Sequence, residues 1–264
     1  MSPRYVKSLE ELMSAAQERL AAGPMETEAQ GITIEYATDP ELARAVVPAP
    51  LIANDEGRLQ LTFAKAVMRP APDVTIEIGA FTFGVHITYE GKPGLYPVTM
   101  AFDDELTVIS GREMWGEPKK FGHIDFSIQN DEASARVIRH GIPFAAFRGR
   151  LGANLAPSEH TEHSYCFKFT LAADASGFDH DPQLIRLIWN RRQLEARAVD
   201  GELTLTDSAF DPVADLPVRR LLGATWARTL TRSGGEQIGT VPGLGLFPFM
   251  QQRYDDIAAY AGKR

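Results

Sequence analysis

The chain has 264 residues, of which 44% are apolar and 23% charged, as is ordinary for a soluble globular protein. Its net charge of −8 at pH 7 argues against nucleic acid and against an anionic membrane surface as partners. The one cysteine, Cys166, cannot form an intramolecular disulfide, and no segment has the ~20 apolar residues of a membrane span or the pattern of a secretion signal, so we expect a cytoplasmic protein.

The N-terminal part of the chain predicts helix. Ser8 and Glu11 form a capping box at the start of an apolar stripe that runs to Ala22. Asp39 and Pro40 are typical of the beginning of a second, short helix. We therefore expect helical structure at this end of the chain.

From about residue 50 to about residue 210, apolar residues alternate with polar ones, which indicates strands. In the segment from Val74 to Tyr89 the apolar side switches near Gly79, which predicts a bulge or bend there. Short turns and the lack of a βαβ rhythm predict a largely antiparallel sheet, closed into a barrel or folded as a sandwich. The segments predicted as strands are residues 74–89, 95–102, 106–109, 124–128, 134–139, 144–151, 165–171 and 203–206.

The C-terminal part returns to a helical pattern at residues 216–230 and at about 251–261. Between them, residues 239–250 form an apolar segment that we expect to be buried over a pocket or in a subunit contact. The sequence has no internal repeat and no clear linker. We therefore interpret residues 1–264 as a single domain.

Two adjacent lysines, Lys119 and Lys120, stand in an unusual setting. Gly111, Gly116 and Pro118 indicate an irregular segment around them. A lysine that attacks a carbonyl group must be neutral, whereas an ordinary lysine, with a pKa near ~10.4, is almost wholly protonated at pH 7. If the pair is extended, the two side chains point to opposite faces, so apolar burial would have to contribute most of the bias against the ammonium form of Lys119.

These residues resemble the acetoacetate decarboxylase family. The segment from Gly111 to Lys120, Gly-Arg-Glu-(x)4-Pro-Lys-Lys, is similar to the active-site segment of that family. The N-terminal signature of the family is similar to Ile34-x-Tyr36-x-Thr38-Asp39 followed by Val46-Val47-Pro48-x-Pro50-Leu51. The C-terminal signature of the family is similar to Asp215-Leu216-Pro217-Val218. The resemblance covers roughly residues 30 to 223.

The resemblance implies a function and a fold. Lys119 would form an imine with a β-keto acid, acetoacetate or a larger analogue, and the iminium would draw electrons as CO2 leaves. Lys120 would help to keep the Lys119 amine neutral, and no metal or organic cofactor would be needed. The family fold implies a mainly β (α+β) protein, an antiparallel closed β-barrel with peripheral N- and C-terminal helices, assembled as a homo-oligomer.

Further residues are candidates for the pocket. Glu77 corresponds to one family glutamate, and Glu117 would share the strand face of Lys119 and act as a general acid–base. Trp115 and Met100 could form apolar walls. The second family glutamate falls in residues 59–66, where Lys65 is the only charged residue.

One family feature is missing. The decarboxylases carry an arginine just before the Ile-x-Tyr-x-Thr-Asp segment, where this chain reads Glu28-Ala29-Gln30-Gly31. The resemblance therefore implies imine formation more firmly than it implies acetoacetate as the substrate.

Two other functions stay open. Another imine reaction on the same scaffold, such as aldol chemistry, dehydration or deamination of a 2-oxo acid, would keep the lysine, and a non-catalytic barrel that binds small molecules would not need a neutral amine. His160-x-x-His163, with Glu159 and Glu162, resembles a metal cluster, but its position after Pro157-Ser158 favours a solvated loop.

Overall fold

The computed structural model describes residues 5–22, 26–71 and 74–262. Within these ranges the helices are α1 (Leu9–Ala22), α2 (Pro40–Ala45), α3 (Glu105–Trp115), α4 (Gly243–Leu246) and α5 (Ile257–Tyr260), and 3-10 turns cover Val213–Asp215 and Phe247–Gln252. The strands are β1 (Glu26–Ala37), β2 (Ile52–Ala53), β3 (Arg58–Ala71), β4 (Val74–Tyr89), β5 (Lys92–Phe102), β6 (Lys119–Phe121), β7 (His123–Gln129), β8 (Glu132–Arg139), β9 (Ile142–Leu155), β10 (Glu159–Lys168), β11 (Gln183–Leu205) and β12 (Arg220–Thr240). None of the helices described is both long and apolar enough to cross a bilayer.

Part of the sheet closes into a ring of hydrogen-bonded strands. The ring runs β1, β3, β4, β5, β10, β11 and β12, and β12 pairs back onto β1. Most pairings are antiparallel, whereas β5 pairs in parallel with β10 and with β6. From β11 the sheet continues through β9, β8 and β7. The predicted mainly β fold with a closed ring of strands is confirmed, and one domain over residues 1–264 stays a prediction.

The main apolar core lies outside the ring, between its wall and the extension made by β7, β8 and β9. Along β4, Phe81, Phe83 and Val85 are buried in this core, together with side chains such as Phe126 and Phe147 from the extension. Alternate residues of β1, β3 and β4 point instead into the ring and are smaller or more polar. The ring interior is therefore left as a cavity.

Strand β4 has apolar residues on both faces because its two faces meet different surroundings. Ile76 and Ile78 line the cavity, whereas Phe81 and Phe83 lie in the outer core. The pairing with β3 runs through Gly79 without a register shift. The predicted bulge near Gly79 is wrong: the apolar switch marks the point where the outer face of β4 enters the core, whereas Ala80 and Thr82 continue the cavity wall.

The helix predictions had mixed outcomes. Helix α1 is confirmed, with the Glu11 N–H donating to Ser8 Oγ at 3.2 Å. Residues 106–109, predicted as a strand, belong to α3, because Asp104 caps that helix by accepting a hydrogen bond from the Thr107 N–H at 2.7 Å. The predicted helix at 216–230 is wrong, because this segment enters β12, which pairs on one side with β1 and on the other with β11.

The predicted helix at 251–261 is replaced by the end of a 3-10 turn and the short helix α5. The apolar segment before it is only partly buried. Leu246 joins the main core, whereas Leu244 is exposed.

Candidate active site

The lysine pair lies where α3 leads into β6. Gly116 ends the helix with a φ of 72°, a conformation that favours glycine. The chain then turns through Glu117, and β6 pairs with β5 so that Lys119 lies opposite Met100. This turn brings the first lysine to the inner face of the ring.

The Lys119 amine is buried against an acid and an aromatic ring. The side chain is 7% exposed, and its Nζ lies 2.8 Å from Glu117 Oε2. The same Nζ lies 4.2 Å from the centre of the Phe102 ring. Gly111 makes room for the pair, because a Cβ at that position would lie 2.7 Å from Lys119 Nζ and 2.4 Å from Glu117 Oε2.

Glu117 is more deeply buried than the lysine, with 1% of its side chain exposed. Its Oε2 has no well-directed hydrogen bond from any residue in the described ranges, since the ammonium group approaches obliquely. The structure thus brings Glu117 and Lys119 together on one face. A buried carboxylate next to an amine can accept a proton from it and return the proton later.

Lys120 points the other way, as adjacent residues of an extended strand do. Its Nζ donates to the carbonyl oxygens of Phe210 at 3.1 Å and of Gln251 at 3.3 Å. It also lies 3.3 Å from a carboxylate oxygen of Asp211 and 3.3 Å from one of Asp255. These partners compensate the charge of Lys120, so the geometry does not support its predicted electrostatic effect on Lys119.

Arg139 completes the buried network around Lys120. Its guanidinium group lies 2.6 Å from Asp211 Oδ2 and 3.0 Å from Asp255 Oδ2. Burial by itself raises the pKa of Asp255, but hydrogen bonds from Arg139 and His140 outweigh it and hold that pKa well below its usual range. The network joins the lysine segment to the C-terminal segment of the chain.

The interior of the ring is a cavity of about 1240 Å³. Lys119 and Glu117 line it, as do Met100 and Trp115, the two predicted apolar wall residues. Trp115 packs edge-on against Trp189, with ring centres 6.1 Å apart. The structure therefore brings four of the six predicted site residues to one cavity.

Glu77 does not belong to this group. Its neighbours Ile76 and Ile78 line the cavity, so the alternation of β4 turns Glu77 to the outside, where it is exposed. The expectation that Glu77 lines the pocket is wrong for this reason. Lys65 is likewise exposed on β3, between the cavity-lining residues Ala64 and Ala66.

The segment of β1 that lacks the family arginine does face the cavity. Ala29 lines it, and Gln30 is exposed on the outside. At Gly31 a Cβ would lie 2.9 Å from the Phe63 carbonyl oxygen. Residues 28–31 of β1 therefore bring no cation to the cavity wall near Ala29.

The two histidines of the apparent metal motif lie on β10 rather than in a loop, so the loop prediction is wrong. His160 lies 3.1 Å from Glu162, which is also held by Arg191 at 2.7 Å. Among the described residues no group of His, Cys, Asp and Glu side chains has the arrangement to hold a metal ion.

Several residues of the site were not predicted. Arg112 donates to the Lys119 carbonyl oxygen at 3.0 Å and to the Arg253 carbonyl oxygen at 3.1 Å. Asp211 and Asp255 come from parts of the chain far from the lysines. Arg112 could have been found from its place in the Gly-Arg-Glu segment, whereas the two aspartates carry no local sequence signal.

Comparisons with known proteins agree on one family. The family model "Acetoacetate decarboxylase (ADC)" matches residues 12–239. An acetoacetate decarboxylase of Streptomyces nogalater is 30% identical over 221 residues, which cover 79% of this chain and 86% of that protein.

Two solved structures share the fold. The acetoacetate decarboxylase of Legionella pneumophila matches with a TM-score of 0.71 and 20% identity, over 83% of this chain and 88% of that one. The enduracididine biosynthesis enzyme MppR, complexed with the condensation product of pyruvate and imidazole 4-carboxaldehyde, matches with a TM-score of 0.69 and 17% identity, over 82% of this chain and 89% of that one.

Proposed function

The chain belongs to the acetoacetate decarboxylase family, and on that premise we propose that it decarboxylates a β-keto acid through an imine on Lys119. The observation that carries the proposal is the position of the Lys119 amine, buried in the ring cavity 2.8 Å from the Glu117 carboxylate. Lys120 is engaged on the other face by Asp211 and Asp255. Lys119 is therefore the amine of the pair that a substrate in the cavity can reach.

The first step is a proton transfer within the buried pair. Glu117 takes a proton from the Lys119 ammonium group, which leaves a neutral amine beside a neutral acid. The two groups are buried and 2.8 Å apart, so the proton can pass directly between them without a water molecule. The amine lone pair then attacks the ketone carbon of the substrate.

Glu117 next acts as the acid that completes the imine. It donates its proton to the hydroxyl group of the carbinolamine, and water leaves as the carbon–nitrogen double bond forms. The product is a protonated imine on Lys119 beside an ionised Glu117. The negative charge of Glu117 now stabilises the positive charge of the iminium.

Decarboxylation follows from the electron demand of the iminium. The electron pair of the bond to the carboxylate carbon moves into the iminium, so CO2 leaves and a neutral enamine forms. A proton from solvent, relayed by Glu117, then adds to the enamine carbon. Water hydrolyses the resulting iminium to the ketone and restores Lys119.

One observation favours a second candidate, an aldol-type condensation or dehydration on the same lysine. The β1 segment near Ala29 lacks the family arginine, and the two arginines that line this end of the cavity, Arg69 and Arg232, lie beside Glu28 and Glu26. MppR, which shares the fold, is described with a condensation product of pyruvate. On this alternative the enamine would attack an aldehyde instead of taking a proton.

Borohydride trapping tests the proposal. The protein and its Lys119→Ala variant are each incubated with acetoacetate, longer β-keto acids or pyruvate and then reduced with borohydride. The mass of each intact protein is measured by mass spectrometry. A Lys119-dependent adduct with the mass of the decarboxylated ketone supports the proposal, and a retained 2-oxo acid supports the alternative. Absence of any adduct, with unchanged folding, would leave a non-catalytic barrel and defeat both.

A further inference from the structure

We infer that the substrate is an elongated keto acid with a neutral hydrogen-bonding group, such as a hydroxyl, at its far end, and that His86 receives this group inside the ring cavity. The inference rests on the proposed function, because it takes Lys119 as the residue that holds the keto end. It names the class of substrate that the rest of the cavity fits.

The cavity is far larger than acetoacetate requires. Its volume of about 1240 Å³ exceeds the roughly 300–1,000 Å³ that is typical of pockets for drug-sized ligands. A four-carbon acid bound at Lys119 would leave most of this space to water. A cavity of this size instead fits a substrate with a long body.

The strand register gives the approximate distance between Lys119 and His86 along the wall. Lys119 lies opposite Met100, which pairs with Thr82 of β4. His86 lies four residues further along β4, or about 13 Å at the ~3.3 Å rise of a strand. An extended chain advances ~1.3 Å for each carbon–carbon bond of ~1.5 Å, so roughly ten bonds cover this distance.

The wall between these two residues is uncharged. On β3 and β4 it is formed by Gln60, Thr62 and Thr82, and on other strands of the ring by Leu95, Leu187 and Trp189. Small residues on β3 and β4 keep the space open, and Leu187 and Trp189 close the opposite side. An aliphatic or aromatic body is therefore favoured over a charged one.

The far end of the cavity is polar, and its charges are already balanced. Glu35 pairs with Arg58 at 2.5 Å, and Glu162 pairs with Arg191 at 2.7 Å. Burial by itself raises the pKa of Glu162, but Arg191 outweighs it and lowers that pKa, which keeps the pair ionised. Because the two charges within each pair already neutralise each other, these pairs offer no free counter-charge to an ionised ligand group. A neutral ligand group therefore fits this end better.

His86 is a residue of this end with hydrogen-bonding capacity left. Its Nε2 is buried and makes no hydrogen bond within the described part of the chain, with Glu35 3.8 Å away. Burial lowers the pKa of His86, so the imidazole is neutral at pH 7 and Nε2 can donate to or accept from a ligand. A buried polar atom without a partner is the feature that a substrate hydroxyl would satisfy.

Three acids test the inference: a β-keto dodecanoate with a terminal hydroxyl, the same acid without it, and acetoacetate. We expect kcat/KM for CO2 release to be highest for the hydroxylated acid, by about tenfold over its unsubstituted analogue. His86→Phe should abolish this advantage, so that the two long acids react with similar kcat/KM, whereas His86→Gln should restore part of it. His123→Phe, an exposed histidine on β7, is the matched control and should change nothing.

The outcomes separate the two proposals. If Lys119 forms adducts but the hydroxyl gives no advantage, or His86→Phe keeps that advantage, the substrate inference is wrong and the proposed function stands. If none of the acids gives a Lys119-dependent adduct, the proposed function itself fails. Thermal melting of both His86 variants shows whether a loss reflects folding, and a preserved melt with a lost advantage supports the inference.

Discussion

Lys119 and Lys120 are neighbours in the chain, but their amines lie in different environments. Lys119 Nζ faces the ring cavity, 2.8 Å from Glu117, whereas Lys120 Nζ faces a buried network, 3.3 Å from Asp211. Two carboxylates and two carbonyl oxygens surround Lys120. On the proposed function, Lys120 holds the segment in place and Lys119 carries out the amine chemistry.

Replacement of Lys120 by methionine tests this division of roles. The change leaves Asp211 and Asp255 with one cation fewer in a buried site, and we expect a loss of roughly 3–5 kcal/mol in the free energy of unfolding. The protein that remains folded should still form an imine on Lys119. Urea unfolding and borohydride trapping measure the two effects.

Lys65→Met is the control, because Lys65 is exposed on β3 and should affect neither measurement. A Lys120→Met protein with normal stability but no imine would contradict the assignment and restore the electrostatic role that the family resemblance implies.

Gly111→Ala should separate activity from stability. Alanine in a helix is more favourable than glycine by ~1 kcal/mol, and the new Cβ would meet only the ends of two flexible side chains, those of Lys119 and Glu117. We expect unchanged or slightly higher stability and a fall in kcat of about 100-fold, because both groups are displaced. Thermal melting and steady-state kinetics measure the two effects.

Gly116→Ala is the matched comparison, and here we expect the stability to fall. At a φ of 72° the new Cβ would lie 2.4 Å from the backbone of Lys168, so stability should fall by roughly 1–3 kcal/mol. If Gly111→Ala were fully active, the close approach of Gly111 to the lysine would have no functional meaning.

The sequence predicts the parts of this fold that depend on local pattern. The extent of β4, the capping box of α1 and the segment that carries Lys119 follow from alternation, capping and a specific motif. Alternation alone does not predict which face of β4 lines the cavity. The sequence therefore predicts Glu77 in the pocket, although its side chain lies outside. Local pattern does not predict long-range pairing either. Strand β12 pairs with two strands distant in the chain, and Asp211 contacts Lys120 although 91 residues separate them.

Glu117→Gln should block proton transfer without removing the amine. The amide is close in size to the carboxylate, but it cannot take a proton from Lys119 or donate one to the carbinolamine. We expect kcat to fall by about 10²–10⁴-fold, with trapping of the substrate on Lys119 slowed but still detectable. Pre-steady-state borohydride trapping measures the rate of imine formation, and CO2 release measures kcat.

Glu113→Gln, at an exposed position of α3, is the control and should keep full activity. Normal CO2 release by Glu117→Gln would rule out a general acid–base role for this residue.

Asp255 makes the stability of the protein sensitive to acid. Because Arg139 and His140 hold its folded-state pKa well below the unfolded value of ~3.9, the ionised carboxylate stabilises the fold above about pH 4. This contribution is lost as the pH falls below about 4 towards the folded-state pKa, so stability should decrease on acidification. Asp255→Asn should lower stability at pH 7 and show a smaller further loss between pH 5 and pH 3. Urea unfolding midpoints at these pH values measure the difference, and Asp200→Asn, at an exposed position, is the control. An unchanged acid dependence in Asp255→Asn would mean that other carboxylates cause the loss of stability.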